Sequence, residues 1–479
     1  MTLKRIFLAL GLVLLSSQMQ AKLSLPEIIG DNMVLQQQTK VNIWGWATPG
    51  ASVRVKTSWS AATVSARAAA DGRWIAKIDT PAASYTPQTV TISADGEKVV
   101  LKDVLIGEVW FASGQSNMEM PIHGFWNCPV EGANRTIADA MQYNKGLRMV
   151  TVPKTGSHNL EDRVKGSWQQ CSPETVRWWS ATATYFGERL CATLDIPVGI
   201  ISCSWGGSRV ESWLPEETVR GYGDIDFEKE TNLREGNWWH YSNVTIMYNA
   251  MYYPIRDYTV QGFIWYQGES NVGKEDSYAE RFKTLAGIWR ADQGREAPIY
   301  WVELAPWRYG GDGRQGARFR EMQFRLSNEI PNSAMVCTND LVYPDEDTQI
   351  HPRNKQGVGE RLAWCALNNT YGYENIKYRN PSYKEYKIEG NVVEIFLNDA
   401  PDGIYPWKGL EEFEVAGNDR VFYPAVAWIN QNDKSVMVMS PDVQYPKAVR
   451  YCFKDFSIGN VNSVYELPLV PFRTDDWDY

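Results

Sequence analysis

The chain has 479 residues, 44% of them hydrophobic and 22% charged, with a formal net charge of −9. That length leaves room for about two or three domains with sizeable cores, and the acidic balance argues against nucleic acid or an anionic membrane surface as the main partner. The 7 cysteines contain no Cys-x-x-Cys pair, so a zinc site of the usual spacing is not expected, whereas one or two disulfides are compatible with an exported protein.

Residues 1–21 read as a secretory signal. Lys4 and Arg5 form the positive region, Ile6 to Leu15 the apolar run, and Ala21 a small residue for cleavage. The run is too short to span a bilayer, and no later stretch of about 18 apolar residues replaces it. No cysteine follows it to take a lipid. The expected product is exported and has no membrane anchor, and loss of Lys4 and Arg5 would carry its charge from −9 to −11. The chain has 21 tryptophans. Exported proteins use such residues to stack sugars, but β-sandwich cores use them too, and the core is the expected place for most.

Residues 22–103 read as an N-terminal β-sandwich module. Short alternating runs at Val41–Trp46, Ser52–Lys56, Trp74–Ile78, Thr89–Ser93 and Lys98–Leu101 are separated by Pro-Gly and Asp-Gly turns. Residues 104–372 change texture, with buried-type strands alternating with helical periodicity. Val104–Ala112, Pro197–Ser204, Val260–Tyr266, Pro298–Leu304 and Ser333–Thr338 read as strands. Helices are expected after Ser180 as a cap, at Met247–Arg256, along the stripe Tyr278, Phe282, Leu285 and Trp289, at Phe319–Asn328, and from Pro352 as a first helical residue. Alternating βα units predict an α/β domain, a parallel sheet covered by helices on both faces. Residues 373–479 return to a β-rich, turn-rich pattern (Val392–Leu397, Glu412–Val415, Val436–Met439, Ala448–Phe453), a C-terminal module that could pack on the first.

Ligands in open α/β sheets bind outside the carboxyl ends of the strands, and the polar signals of this chain gather there. Gly114 breaks the first strand, and Ser116 follows it. A serine at such a turn can offer its hydroxyl as nucleophile and its own N–H to an oxyanion, which is what acyl transfer requires. The second strand ends in Trp205-Gly206-Gly207-Ser208, whose glycine N–H groups are candidate oxyanion donors. The third ends in Gln267-Gly268-Glu269-Ser270-Asn271, with the Gln267 amide as another donor. Past the last strand lie Asp345, Asp347 and His351. A serine nucleophile usually needs a neutral imidazole as base, and the chain has 4 histidines. His123 falls in a loop at the mouth, His158 in a polar stretch, and His240 beside Trp238-Trp239, where packing or a substrate wall is the better role. His351 alone combines a position after the last strand, a following proline and nearby acids.

The segments GQSNM (114–118), SWGGS (204–208), WYQGESN (265–271) and IHPRNKQGVGERLA (350–363) together resemble the sialate O-acetylesterase family, within the SGNH or GDSL-like hydrolases. The resemblance covers roughly residues 104–366 and implies an SGNH-type three-layer α/β/α domain. It implies Ser116 as nucleophile, His351 as base, and an oxyanion hole made by the N–H of Ser116, Gly207 (or Gly206) and Gln267. Many SGNH enzymes carry an aspartate three residues before the histidine, and here that position is Thr348. Asp347 is the preferred third member, with Asp345 and a backbone carbonyl as alternatives. For a sialate carboxylate, Arg209 is the best-placed guanidinium fork, against a structural ion pair with Glu211 or another acid. Trp205, Gln115 and Asn117 are further candidates for substrate contact.

The expectation is a serine esterase without metal or cofactor that removes O-acetyl groups from sugars, with O-acetylated sialic acids first. An esterase acting on acetylated xylan or another polysaccharide is the alternative of the same class. A non-catalytic carbohydrate-binding protein on a hydrolase scaffold is the alternative of a different class.

Overall fold

In a computed structural model, residues 23–231 and 242–477 are described. The expected signal segment and His240 lie outside them. The central sheet contains β1 (Glu97–Gly114), β2 (Leu147–Thr151), β3 (Val198–Ser204), β4 (Gly262–Tyr266), β5 (Ile299–Val302) and β6 (Ser333–Val336). They lie in the order β6-β5-β4-β1-β3-β2, with neighbours parallel throughout.

The register makes the strand ends level. Gly114 of β1 pairs with Ser204 of β3 on one side and with Tyr266 of β4 on the other. Tyr266 in turn pairs with Val302, and Val302 with Val336. Every segment that leaves this edge therefore starts from one line, and β1 in the middle is where the strand order reverses.

Both faces of the sheet are dry, which is why its strands read as apolar runs rather than alternating ones. On one face, Trp110, Ala112, Ile264 and Tyr266 pack with residues of Ala181–Leu194 and Lys355–Asn369, including Phe186, Leu190, Leu362 and Cys365. On the other, Phe111, Phe263, Trp265 and Trp301 meet Tyr278, Phe282, Leu285 and Trp289 of Glu275–Gln293. Phe263 and Trp289 stack with centroids 4.6 Å apart. The expected α/β class with β-rich flanks is what the chain adopts. Ser180 caps its helix, the hydroxyl accepting from Ala183 N–H at 3.2 Å.

Two helix starts differ, the first at Gln315 against the expected Phe319. The last helix begins at Lys355, capped by Asn354, whose Oδ1 accepts from Gly357 N–H at 3.0 Å. Pro352 instead precedes the cap and disfavours helical geometry at His351.

The N-terminal module pairs Lys40–Trp46 with Arg73–Asp79, and Ser52–Thr57 with Thr63–Arg67 and Ser84–Ala94. Ser84–Ala94 joins β1, so one strand runs from this module into the central sheet and crosses residues 103/104 without a break. The C-terminal residues form two four-stranded antiparallel sheets around their own core. Among the described residues, no helix is long and apolar enough to cross a membrane. All 7 cysteines are buried and unpaired, and Trp44, Trp74, Trp110, Trp179, Trp213, Trp265, Trp289 and Trp301 are fully buried.

The passage of β1 between the modules is pinned by one buried cation. Asp103 has φ +53° within the strand. Arg148 of β2 donates to the Asp103 carboxylate at 2.9 Å and to the Asn32 carbonyl at 2.9 Å. Its side chain is only 3% exposed. Asp103→Asn keeps a residue that tolerates positive φ but removes the counter-charge. It is expected to cost about 3 kcal/mol in urea unfolding, and a loss under about 0.5 kcal/mol would show that the charge does not hold the junction.

Candidate active site

Gly114 has φ +140°, and a Cβ there would lie 2.1 Å from the Tyr266 carbonyl oxygen, so only glycine can pass. Gln115 N–H then donates to that carbonyl at 3.0 Å, and the chain turns into one helical turn, Ser116–Glu119. Within Ser113–Met120, Ser116 and Glu119 reach solvent while their neighbours are buried.

Gly206 lies against the serine: a Cβ on it would be 3.1 Å from Ser116 Cβ and 3.3 Å from Glu119 Oε2. Its N–H is taken by Glu119 at 2.6 Å, and Glu119 pairs with Lys154 at 2.7 Å. Gly207 has φ +79°, and its carbonyl accepts from Ser270 Oγ at 3.0 Å. Among the described residues, the N–H groups of Ser116 and Gly207 donate to no protein acceptor. Of the alternatives Gly206 and Gly207, only Gly207 thus keeps a free donor.

The residue after Ser116 ties the site together. Asn117 is fully buried. Its Nδ2 donates to Glu269 at 2.5 Å and to the Ile350 carbonyl at 3.0 Å, and its Oδ1 accepts from Lys355 Nζ at 2.5 Å. The segments carrying Ser116 and His351 are therefore bonded side by side. Lys355 is fully buried with its ammonium 5.4 Å from the Tyr266 ring centroid. Burial pushes its pKa down to about 7, against the opposing pull of Glu269. Burial likewise raises the Glu269 pKa.

His351 lies between two residues of one loop. Its ring meets Phe125 edge-on at 5.2 Å, and Nδ1 is 3.9 Å from Cys128 Sγ. Burial, then the charge of Lys355, lowers its pKa to about 4, so the imidazole is neutral at pH 7. Among the described residues, the ring hydrogen-bonds neither a carboxylate nor a backbone carbonyl, nor Ser116 Oγ.

Several expected site residues are engaged elsewhere. The Asp347 carboxylate is paired with Arg308 rather than with His351. Asp345 forms a fork with Arg353 at 2.9 and 3.0 Å. In that acid-rich loop, each charge found a cation nearer than the imidazole. Gln267 is buried, and its Nε2 hydrogens go to the Ser208 carbonyl at 3.1 Å and Asn271 Oδ1 at 2.8 Å. It supports the glycine turn and presents no amide hydrogen to an oxyanion. Arg209 donates to the Ser242 carbonyl at 2.9 Å and to Glu230 at 2.7 Å, so it is a structural pair and not a free carboxylate fork. Glu211, the partner weighed for it, is instead bound by Arg281 and by Asn271 at 3.0 Å. Gln115 and Asn117 are buried away from any substrate, and Gln115 Oε1 accepts from Gly268 and Ser270 N–H at 3.4 Å. Trp205 is half-buried against the core. His123 packs on Trp178 with centroids 4.6 Å apart, and His158 lies 3.2 Å from Thr231.

Sequence reasoning missed Glu119, Lys154, Glu269 and Lys355. The last two sit inside WYQGESN and IHPRNKQ, but nothing in a linear motif says that a lysine is buried. Among the described residues, no group of three or more His, Cys, Asp or Glu could hold a metal ion.

A serine at a strand end beside free N–H donors, with a histidine on the adjoining segment of a parallel α/β sheet, is an arrangement suited to carboxylic ester hydrolysis. The family model for carbohydrate esterase, sialic acid-specific acetylesterase, matches residues 106–368. Sialate O-acetylesterases of Pongo abelii and Homo sapiens are each 30% identical over 392 residues, covering 74% of this chain and 72% of theirs. A carbohydrate acetylesterase from Xanthomonas citri superposes with a TM-score of 0.83 at 31% identity, covering 95% of this chain and 100% of that one. The chain belongs to the sialic acid-specific acetylesterase family of carbohydrate esterases, and its activity is that of a carbohydrate O-acetylesterase.

The Asn117 bridge has a direct test. Asn117→Ala strips Lys355 of its acceptor and leaves two buried groups unpaired, an expected loss of about 2–3 kcal/mol in urea unfolding together with lower esterase activity. A change within about 0.5 kcal/mol would show the bridge to be incidental.

Proposed function

We propose that the chain is an exported esterase that removes O-acetyl groups from sialic acids, with Ser116 as nucleophile and His351 as base. Ser116 Oγ attacks the acetyl carbonyl carbon while its proton passes to the His351 imidazole. The carbonyl oxygen becomes an oxyanion that accepts from the N–H groups of Ser116 and Gly207. Collapse expels the sugar oxygen, which takes the proton from His351 and leaves as the free hydroxyl. Water then repeats the sequence on the acetyl-enzyme, with His351 again the base, and releases acetate.

The observation that carries this reading is the Asn117 bond to the Ile350 carbonyl at 3.0 Å, which holds the serine and histidine segments together beside two unspent N–H donors. Hydrogen bonds between catalytic groups often tighten only when substrate is bound, so contact between Ser116 and His351 is expected in the complex. With Asp347 on Arg308, the reading is a serine–histidine dyad. Sialic acids are favoured over other acetylated sugars by the relatives named sialate O-acetylesterase. Export is favoured by Lys4-Arg5 followed by the apolar run Ile6–Leu15.

Acetate release from a panel of O-acetylated sialosides and acetylated xylan tests the substrate. The sialosides are expected to turn over faster, and the reverse order would assign the protein to polysaccharide deacetylation. Ser116→Ala should lower turnover by at least about 10³-fold with the fold intact, and near-wild-type activity would remove Ser116 from the role.

The pH profile tests the base. Because the His351 pKa is lowered to about 4, the acid limb of kcat/KM should lie near that pH, far below an ordinary imidazole at about 6.5. Lys355→Met removes a positive neighbour and makes protonation of His351 easier, so the limb should move up in pH. A wild-type limb between about pH 6 and 7, unmoved in Lys355→Met, would show that neither burial nor Lys355 depresses the titrating base.

A further inference from the structure

We propose that Trp126, with Trp178 on the segment paired to its loop, is a stacking platform for a sugar ring of the substrate glycan, next to the ring that carries the acetyl group. This rests on the reading of the chain as a carbohydrate esterase with His351 at its centre. Among the described residues nine tryptophans are buried, whereas Trp126 is 89% exposed and Trp178 59%. A single exposed aromatic is ordinary. What sets Trp126 apart is how it is held and what flanks it.

Trp126 is at the tip of a two-residue turn. Phe125 N–H donates to the Cys128 carbonyl at 2.9 Å, and Cys128 N–H returns the bond to Phe125 at 3.0 Å. Asn127 completes the turn with φ +57°. The indole is thus carried on fixed backbone with its faces in water. The two residues that close the turn are those that cup His351, Phe125 at 5.2 Å and Cys128 at 3.9 Å. The exposed ring therefore stands at the rim of the site on the histidine side.

The loop before the turn is paired to the segment that carries the second ring. Ile122 N–H donates to the Trp179 carbonyl at 3.0 Å, and His123 N–H to the Arg177 carbonyl at 3.1 Å. Between those acceptors lies Trp178, with His123 edge-on at 4.6 Å and the Arg177 guanidinium 4.8 Å from its ring. A pyranose has an apolar C–H face and a polar rim. An indole face matches the first, and Asn127, His123 and Arg177 offer partners to the second. Rigid, amphipathic aromatic rings bind at low entropic cost.

The test compares wild type, Trp126→Ala and Trp126→Phe on an O-acetylated sialyl trisaccharide and on p-nitrophenyl acetate. Each protein is also titrated calorimetrically with the deacetylated trisaccharide. Trp126→Ala is expected to raise the trisaccharide KM about tenfold, to lower the ratio of kcat/KM on trisaccharide to that on p-nitrophenyl acetate by a similar factor, and to weaken the titrated affinity about tenfold. Trp126→Phe should recover most of each. An unchanged KM and affinity, or an equal loss on both substrates, would overturn the platform, the second because it reports a disturbed His351. If wild type cleaves p-nitrophenyl acetate but no acetylated sugar, the carbohydrate reading itself falls, while the titration, which needs no turnover, still decides whether Trp126 binds a sugar.

Discussion

The site depends on a single amide. Asn117 donates to Glu269 and to the Ile350 carbonyl and accepts from Lys355, with Asn117 and Lys355 themselves fully buried. Glu269 follows β4, while Ile350 and Lys355 belong to the segment that leads into and opens the last helix. A buried polar network of this kind is costly if any member is unpaired and rigid when all are satisfied. The relative position of Ser116 and His351 is thus set by groups that never meet substrate.

The same network sets the electrostatics. His351 carries no carboxylate partner among the described residues and faces a buried lysine instead, so burial and charge both oppose its protonation. In the familiar serine triad an aspartate stabilises the imidazolium. Here the acids of the neighbouring loop are held by Arg308 and Arg353. The cost is a weaker base, and the return is an imidazole that stays neutral far into acid.

Backbone geometry explains why small residues recur at the strand ends. The level register of β1, β3 and β4 brings the Tyr266 carbonyl over Gly114 and sets Gly206 against Ser116. Any larger residue at Gly114 would collide with backbone that cannot yield. The glycine turn also spends one of its N–H groups on Glu119, leaving the Gly207 N–H without a protein acceptor among the described residues.

By itself, the sequence determined the fold class and the set of segments that form the site. Apolar runs and helical stripes report burial directly, and Ser116, Gly207 and His351 stand where a strand end or a proline marks them. What those residues touch was decided only by tertiary structure. Gln267, Arg209 and Asp347 carry the right chemistry for an oxyanion donor, a carboxylate fork and a triad acid, yet each is bound by a partner distant in the chain or across a loop: Ser208 and Asn271, Glu230 and the Ser242 carbonyl, and Arg308. Lys355 is fully buried, which nothing in its linear motif records. Hydrogen bonds and ion pairs go to the nearest competent partner in space, and a linear motif records which groups are present but not which of them are already satisfied.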